Sequence, residues 1–313
     1  MNIVPNAPLF RDPIYDGAAD PVIIWNKKEK EWWIFYTNRR ASEINIGVSY
    51  MHGSDIGIAS SSDEGKTWIY RGIAQGLEFE PGRNTYWAPE IIENDGIYHM
   101  FVSYVRGVPT NWECPRKILH YTSENLWNWI FDREVKLSSE RVIDACVYKM
   151  PDNTWKMWYK DEVNNSYSYT AYSPDLYEWK VGEAEITDCP HEGPNVFFFH
   201  EKYWMITDPW QGLGVYVSED ASHWNRCENI LRSPGKREDD GTPGSHADVL
   251  VHNERAYIFY FTHPNMTEDQ KNSDDFHPEY CHRRSSLQVA ELIERDGNLW
   301  CDRDHVEIDL EVK

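Results

Sequence analysis

Val22-Ile23-Ile24-Trp25-Asn26-Lys27-Lys28-Glu29-Lys30-Glu31-Trp32-Trp33-Ile34-Phe35-Tyr36 sets two β-branched and aromatic runs on either side of a polar turn. That arrangement reads as a β-hairpin. Its second run has four further counterparts: Met100-Phe101-Val102-Ser103-Tyr104, Trp155-Lys156-Met157-Trp158-Tyr159, Tyr203-Trp204-Met205-Ile206-Thr207 and Ala256-Tyr257-Ile258-Phe259-Tyr260. The copies are spaced at roughly 50 residues, the period of a propeller blade or similar repeat. Each follows its own β-rich run: Ile91-Ile92 across Asn94-Asp95-Gly96, Val147-Tyr148 across Pro151-Asp152-Asn153, then Val196 to Phe199 and Val249 to Val251. Gly, Asn, Asp and Pro in these turns are the residues that tolerate tight chain reversal.

A third element follows the hairpin in four of the units. It reads Ser61-x-Asp63-x-Gly65-x-Thr67-Trp68, Ser123-x-Asn125 to Trp129, Ser173-x-Asp175 to Trp179 and Ser218-x-Asp220 to Trp224. Ser and Asp side chains at this spacing bond their own backbone in a turn, and the Trp becomes a plug against the neighbouring sheet. The first copy resembles the Asp-box turn of sialidase propellers. No window sustains helical periodicity over three turns. The expectation is therefore an all-β, five-bladed β-propeller, a single domain over residues 1–313 with blades opening near 20, 88, 143, 192 and 245. A pair of β-sandwiches is the alternative, but it does not explain the regular spacing.

The chain has 313 residues, with 31 Lys and Arg against 52 Asp and Glu, a formal net charge of −21. That balance argues against nucleic acid and against anionic lipid, which both need a basic footprint. No stretch approaches the roughly 18 apolar residues of a membrane span. The Met1-Asn2-Ile3-Val4-Pro5-Asn6 start lacks a basic and apolar leader, which predicts a cytoplasmic protein if Met1 is the native start. The six cysteines lie far apart, so reduced, mostly buried thiols are expected. Oligomeric state is not legible.

In a propeller the first strand of each blade lines a central channel, so residues opening those strands converge. They are Asp20, Glu90, Asp144, Glu192 and His246. Turn residues at strand entrances are the ordinary explanation for any one of them. Five ionisable groups at matched offsets are better explained by one polar cavity. Crowded, dehydrated carboxyls cannot all ionise, so one can stay a base while another keeps its proton. Hydrolysis of a glycosidic bond needs that pair, and Trp and Tyr supply faces on which a sugar can rest.

Taken in order, Ala19-Asp20-Pro21, Tyr86-Trp87-Ala88-Pro89-Glu90, Val142-Ile143-Asp144, Glu192-Gly193-Pro194, Gly244-Ser245-His246 and the strand from Arg284 to Leu292 resemble glycoside hydrolase family 43. The resemblance runs from about Asp12 to Trp300. It implies an inverting, exo-acting glycosidase that removes arabinofuranosyl, xylosyl or galactosyl units from plant-type oligosaccharides, with no required cofactor. Asp20 would be the general base, Asp144 the modulator that raises the pKa of Glu192, and Glu192 the general acid. Base and acid would stand about 6.5–9.5 Å apart to admit a water. His246 resembles an axial histidine that orders a central Ca2+ or a water, with hydrogen bonding inside the channel as the simpler role.

Substrate contacts are expected from Trp87 and Trp210 by stacking, and from Glu90, Asp208 and Arg284. Each has a structural alternative: core packing for the two Trp, a turn for Asp208, a surface ion pair for Arg284. Asp16 is a rival base. Specificity should lie in the loops from Thr37 to Ile58, Arg106 to Lys117 and Thr262 to His282, the last holding Asp269, Asp274, Asp275, His277 and His282. Three other functions compete. A propeller phosphorylase would need a basic phosphate site. A retaining fructan-type hydrolase would need motifs that are not reproduced in order, although Arg11-Asp12-Pro13 is similar to one. A non-catalytic carbohydrate-binding propeller would show no turnover.

Overall fold

A computed structural model describes residues 3–44, 46–267, 270 and 277–312. Twenty strands form five four-stranded antiparallel sheets, each a meander of consecutive strands. Blade 1 holds β1 Ala18–Asn26, β2 Glu31–Asn38, β3 Asp55–Ser61 and β4 Ile69–Ile73. Blade 2 holds β5 Thr85–Asn94, β6 Ile97–Val105, β7 Lys117–Ser123 and β8 Ile130–Val135. Blade 3 holds β9 Val142–Lys149, β10 Trp155–Asp161, β11 Tyr167–Ser173 and β12 Lys180–Ile186. Blade 4 holds β13 Glu192–Phe199, β14 Lys202–Asp208, β15 Gly214–Ser218 and β16 Asn225–Arg226. Blade 5 holds β17 Ser245–His252, β18 Arg255–Thr262, β19 Ser286–Arg295 and β20 Asn298–Cys301. The helix named in these residues, α1, is the single turn Tyr280–Arg283.

The innermost strands β1, β5, β9, β13 and β17 pack in a closed ring, each against the next. This is the five-bladed propeller expected from the repeat. The five aromatic runs are the second strands, buried almost throughout because sheets cover both of their faces. Ring closure comes from the chain ends. Ile3 and Ile308 exchange backbone hydrogen bonds of 2.8 Å, and Leu310 O accepts Trp32 Nε1 at 2.8 Å, which ties the C-terminal segment to blade 1.

The four plug turns repeat at atomic level. Ser61 Oγ accepts Gly65 N–H at 2.9 Å, and Ser123 Oγ and Ser173 Oγ accept Leu126 and Leu176 N–H at 2.9 Å. Trp68, Trp129 and Trp179 donate their indole N–H to the carbonyl three residues back. In the fourth copy Trp224 donates instead to Glu185 at 3.0 Å. All six cysteines are free thiols.

Every innermost strand carries a β-bulge near its start. The extra residues are Asp20-Pro21, Ala88-Pro89, Asp144-Ala145, Gly193-Pro194 and His246-Ala247. Asp20, Ala88, Asp144 and Gly193 take left-handed φ values of 48°, 43°, 59° and 58°. Such bulges re-aim side chains, and Asp tolerates this conformation better than most residues. At Gly193 a Cβ would also stand 2.8 Å from the His246 ring, so only glycine fits.

Candidate active site

The bulges open onto a cavity of about 520 Å³ at one end of the channel, a volume suited to a small ligand. Asp20, Asp144 and Glu192, from blades 1, 3 and 4, all line it, with His246 from blade 5. Trp87, Asp208 and Trp210 line it as well. Seven of the nine expected site residues therefore meet in one place.

Two do not line it. Glu90 directly follows its bulge, level with Val22, Cys146, Asn195 and Asp248 rather than with Asp20. Its Oε1 accepts Val147 N–H of blade 3 at 2.7 Å, and burial, followed by repulsion from Asp248, pushes its pKa up to about 8. Arg284 is held outside by Asp239 and by Asn265 Oδ1 at 3.0 Å. Asp16, the rival base, is also absent from the lining: Arg11 donates to it at 2.6 Å and Tyr280 at 2.7 Å. Asp269, Asp274 and Asp275 fall outside the described residues.

Asp20 is oriented by Arg39, whose Nη2 donates to both carboxylate oxygens at 3.0 and 3.3 Å. Arg39 follows β2, and its carbonyl lies where a Cβ on Gly17 would be, at 2.0 Å, so glycine is required there. His246 Nδ1 lies 3.6 Å from Asp20. Burial disfavours the imidazolium, yet Asp144, Asp20, Glu192 and Asp208 around it raise its pKa on balance. Asp144 Oδ2 accepts Gly193 N–H at 3.1 Å, which ties Asp144 to the residue after Glu192.

The charge pattern of the pair differs from the expectation. Burial, then repulsion from Glu192 and Asp20, outweighs the pull of His246 and Lys160 and raises Asp144 to about 6. Burial pushes Glu192 the same way, but Lys160, with help from His246 and Arg39, holds it below its ordinary value. Lys160 Nζ donates to Glu192 Oε2 at 3.1 Å. The repulsion between the two carboxyls is present, but the cation beside Glu192 makes Asp144 the member of the pair whose pKa is raised.

Asp208 takes both the structural and the cavity-lining position. It accepts Trp210 N–H at 2.7 Å in its turn and His246 N–H at 2.9 Å from the next blade. Trp87 is buried, its indole donating to Met51 O at 2.6 Å. Trp210 is 44% exposed, with Lys160 Nζ 5.2 Å above its ring. Trp112, in the loop from Arg106 to Lys117, joins them as a rim aromatic.

Sequence reading missed Arg39, Arg116, Arg141, Lys160 and Glu162 in the lining. A signal for Lys160 existed. It pairs with Ile143 as Asp208 pairs with Glu192, so aligning the second strands as well as the first would have exposed it. Arg116 and Arg141 precede β7 and β9, outside the repeated runs.

Calcium takes six to eight oxygen ligands. Among the described residues, the set of three acidic, His or Cys ligand atoms within 4.8 Å of one another is Glu279, Cys281 and His282, not the axial groups.

No protein-family model and no curated protein matches the chain. Solved structures do. A thermostable family-43 glycoside hydrolase is 19% identical, with a TM-score of 0.70 over 97% of this chain and 100% of its own. A family-43 β-1,3-galactosidase with galactodeoxynojirimycin is 15% identical, with a TM-score of 0.68 over 97% and 100%. A family-43 β-xylosidase/α-arabinofuranosidase from a compost microbial metagenome, in complex with xylotriose, is 15% identical, with a TM-score of 0.66 over 96% and 98%. At these identities the shared feature is the propeller fold.

Proposed function

We propose that the chain is an inverting glycoside hydrolase, allied to family 43, acting on the terminal sugars of short oligosaccharides. The observation that carries this reading is the meeting of Asp20, Asp144 and Glu192, from three blades, on one aromatic-rimmed cavity. The neighbours named as galactosidase, xylosidase and arabinofuranosidase support the substrate range of arabinofuranosyl, xylosyl or galactosyl units. Partners in this reading are oligosaccharides, with neither nucleic acid nor membrane, in a cytoplasmic setting and without a cofactor.

Asp20, positioned by Arg39, takes a proton from water on one face of the sugar. On the other face, the leaving oxygen receives a proton from Glu192. Because Lys160 favours the anionic form of Glu192, the substrate must loosen that contact, and the proton held by Asp144 then becomes available to the acid. The pH profile of kcat/KM should be a bell whose alkaline limb begins near the value of about 6 at Asp144. Turnover of aryl α-L-arabinofuranoside, β-D-xyloside and β-D-galactoside tests the reading; no turnover of any glycoside across a broad panel would leave a binding propeller.

A second reading draws on the four basic side chains in the lining, Arg39, Arg116, Arg141 and Lys160. A phosphorylase needs such a site, and acidic strand openings alone do not exclude it. Turnover that requires inorganic phosphate and releases a sugar phosphate would favour it over hydrolysis.

A further inference from the structure

Arg116 and Arg141 pair backbone to backbone in a parallel bridge between blades 2 and 3, so their side chains leave the chain at neighbouring points. Both reach Glu162: Arg116 Nη1 at 2.7 Å and Arg141 Nε at 3.6 Å. Lys160 joins the same cluster, 3.3 Å from Glu162 and 3.1 Å from Glu192. Arg116, Arg141 and Lys160 thus stand with Glu162 and Glu192 on one wall of the cavity, and Lys160 also acts on Asp144, in a chain of net charge −21. Glu113, 3.4 Å from Arg141, stands at the rim with its side chain 80% exposed, where water screens it.

The wall is built, not incidental. Arg116 is 3% exposed, both guanidiniums donate to Trp112 O, and the Nε atoms of both arginines have no hydrogen-bond partner. A buried N–H donor without an acceptor is costly, and a guanidinium fork matches a planar carboxylate. The Trp87 and Trp112 rings each lie 5.7 Å from the Arg116 guanidinium carbon, a flat setting for a pyranose. Lys160 links this wall to Glu192, which places it on the side of the departing group.

We propose that Arg116 and Arg141 seat the carboxylate of a uronic acid unit, so that the substrate is an acidic oligosaccharide cleaved next to that unit. This rests on the glycosidase reading above. With Lys160 engaged by Glu192, the two guanidiniums exceed Glu162 by one charge, which suits a monoanion better than phosphate, which carries more than one charge near pH 7. The overall negative charge does not forbid a short acidic substrate, because salt screens it beyond about 8 Å at physiological ionic strength.

The test is calorimetric binding of D-glucuronate and D-galacturonate against D-glucose and D-galactose, with inorganic phosphate as a separate arm. The full chain should bind the acids at least about tenfold tighter, the scale of one charge-assisted pair. Arg141→Gln, at a partly exposed position, should erase most of that preference and Arg141→Lys should restore part of it. Raising NaCl from 50 to 500 mM should narrow it. Equal affinity for acid and neutral sugars, or a preference that survives Arg141→Gln, overturns the proposal. So does phosphate binding tighter than the uronates. Aryl glycoside turnover without acid preference sinks this inference alone; acid binding without turnover of any glycoside sinks the hydrolase reading alone.

Discussion

Two rings of polar side chains, each drawn from four of the five innermost strands, sit one above the other, and they have different surroundings. The upper ring, at the bulges, includes Asp20, Asp144 and His246, with Glu192 one residue before its own bulge. The lower ring, just past the bulges, holds Glu90, Cys146, Asn195 and Asp248. Each member of the lower ring accepts a backbone N–H from the next blade: Val147 to Glu90 at 2.7 Å, Val196 to Cys146 at 3.2 Å, Val249 to Asn195 at 3.2 Å and Ile23 to Asp248 at 2.9 Å. That ring stitches the blades together. The upper ring, where the bulges free the side chains from the ladder, faces the cavity. Depth relative to the bulge, not residue type, separates the groups that face the cavity from those that stitch the blades.

The largest expected effect lies in the upper ring. Glu192→Gln keeps the shape and the Lys160 contact, so kcat/KM on a confirmed substrate should drop by about a thousandfold, while thermal unfolding stays close to wild type. Normal turnover in that variant would remove Glu192 from the chemistry.

Glu90→Gln should do the reverse, sparing activity and changing stability with pH. The folded Glu90 carboxyl keeps its proton up to about 8, against an ordinary value of 4.5. The native state therefore binds more protons in that window, and wild-type stability falls as pH rises through it. Glutamine, which still accepts from Val147, should be about equal to wild type at pH 4.5. Its advantage should grow toward pH 8, by no more than about 1.4 kcal/mol for each pH unit. Urea melts at both pH values check this; an advantage that shrinks with rising pH would contradict the burial account.

Lys160→Met tests the coupling between Lys160 and the carboxyl pair. Without the cation both Glu192 and Asp144 should hold the proton more tightly, so the alkaline limb of kcat/KM should move up by about one pH unit. An unmoved limb would mean that Lys160 does not control the acid. The smallest effect belongs to Cys146→Ala, which strands the Val196 N–H. It should cost about 1–2 kcal/mol in urea unfolding with kcat unchanged, and a loss of turnover would blur the division between the rings.

The propeller was legible because aromatic second strands and polar turns are written five times, and a Trp plug four times. The three carboxyls were legible because they open strands. The slip at Glu90 has a definite origin. Its strand, β5, starts earlier and its partner β6 runs on to Val105, so Tyr104 is not the counterpart of Tyr36; Val102 is. Matched offsets therefore placed Glu90 at the wrong depth. Arg39, Arg116 and Arg141 were out of reach because they stand in connections between strands, where the repeat has no period to read. Their pairing depends on which blades become neighbours, which only the closed ring decides.

Proton NMR of the first product released by the wild-type chain from its best aryl glycoside addresses the central claim most directly. A water activated by Asp20 on the face opposite Glu192 predicts a sugar of inverted anomeric configuration before mutarotation. A product of retained configuration, or a covalent glycosyl-enzyme trapped in mass spectra, would contradict it.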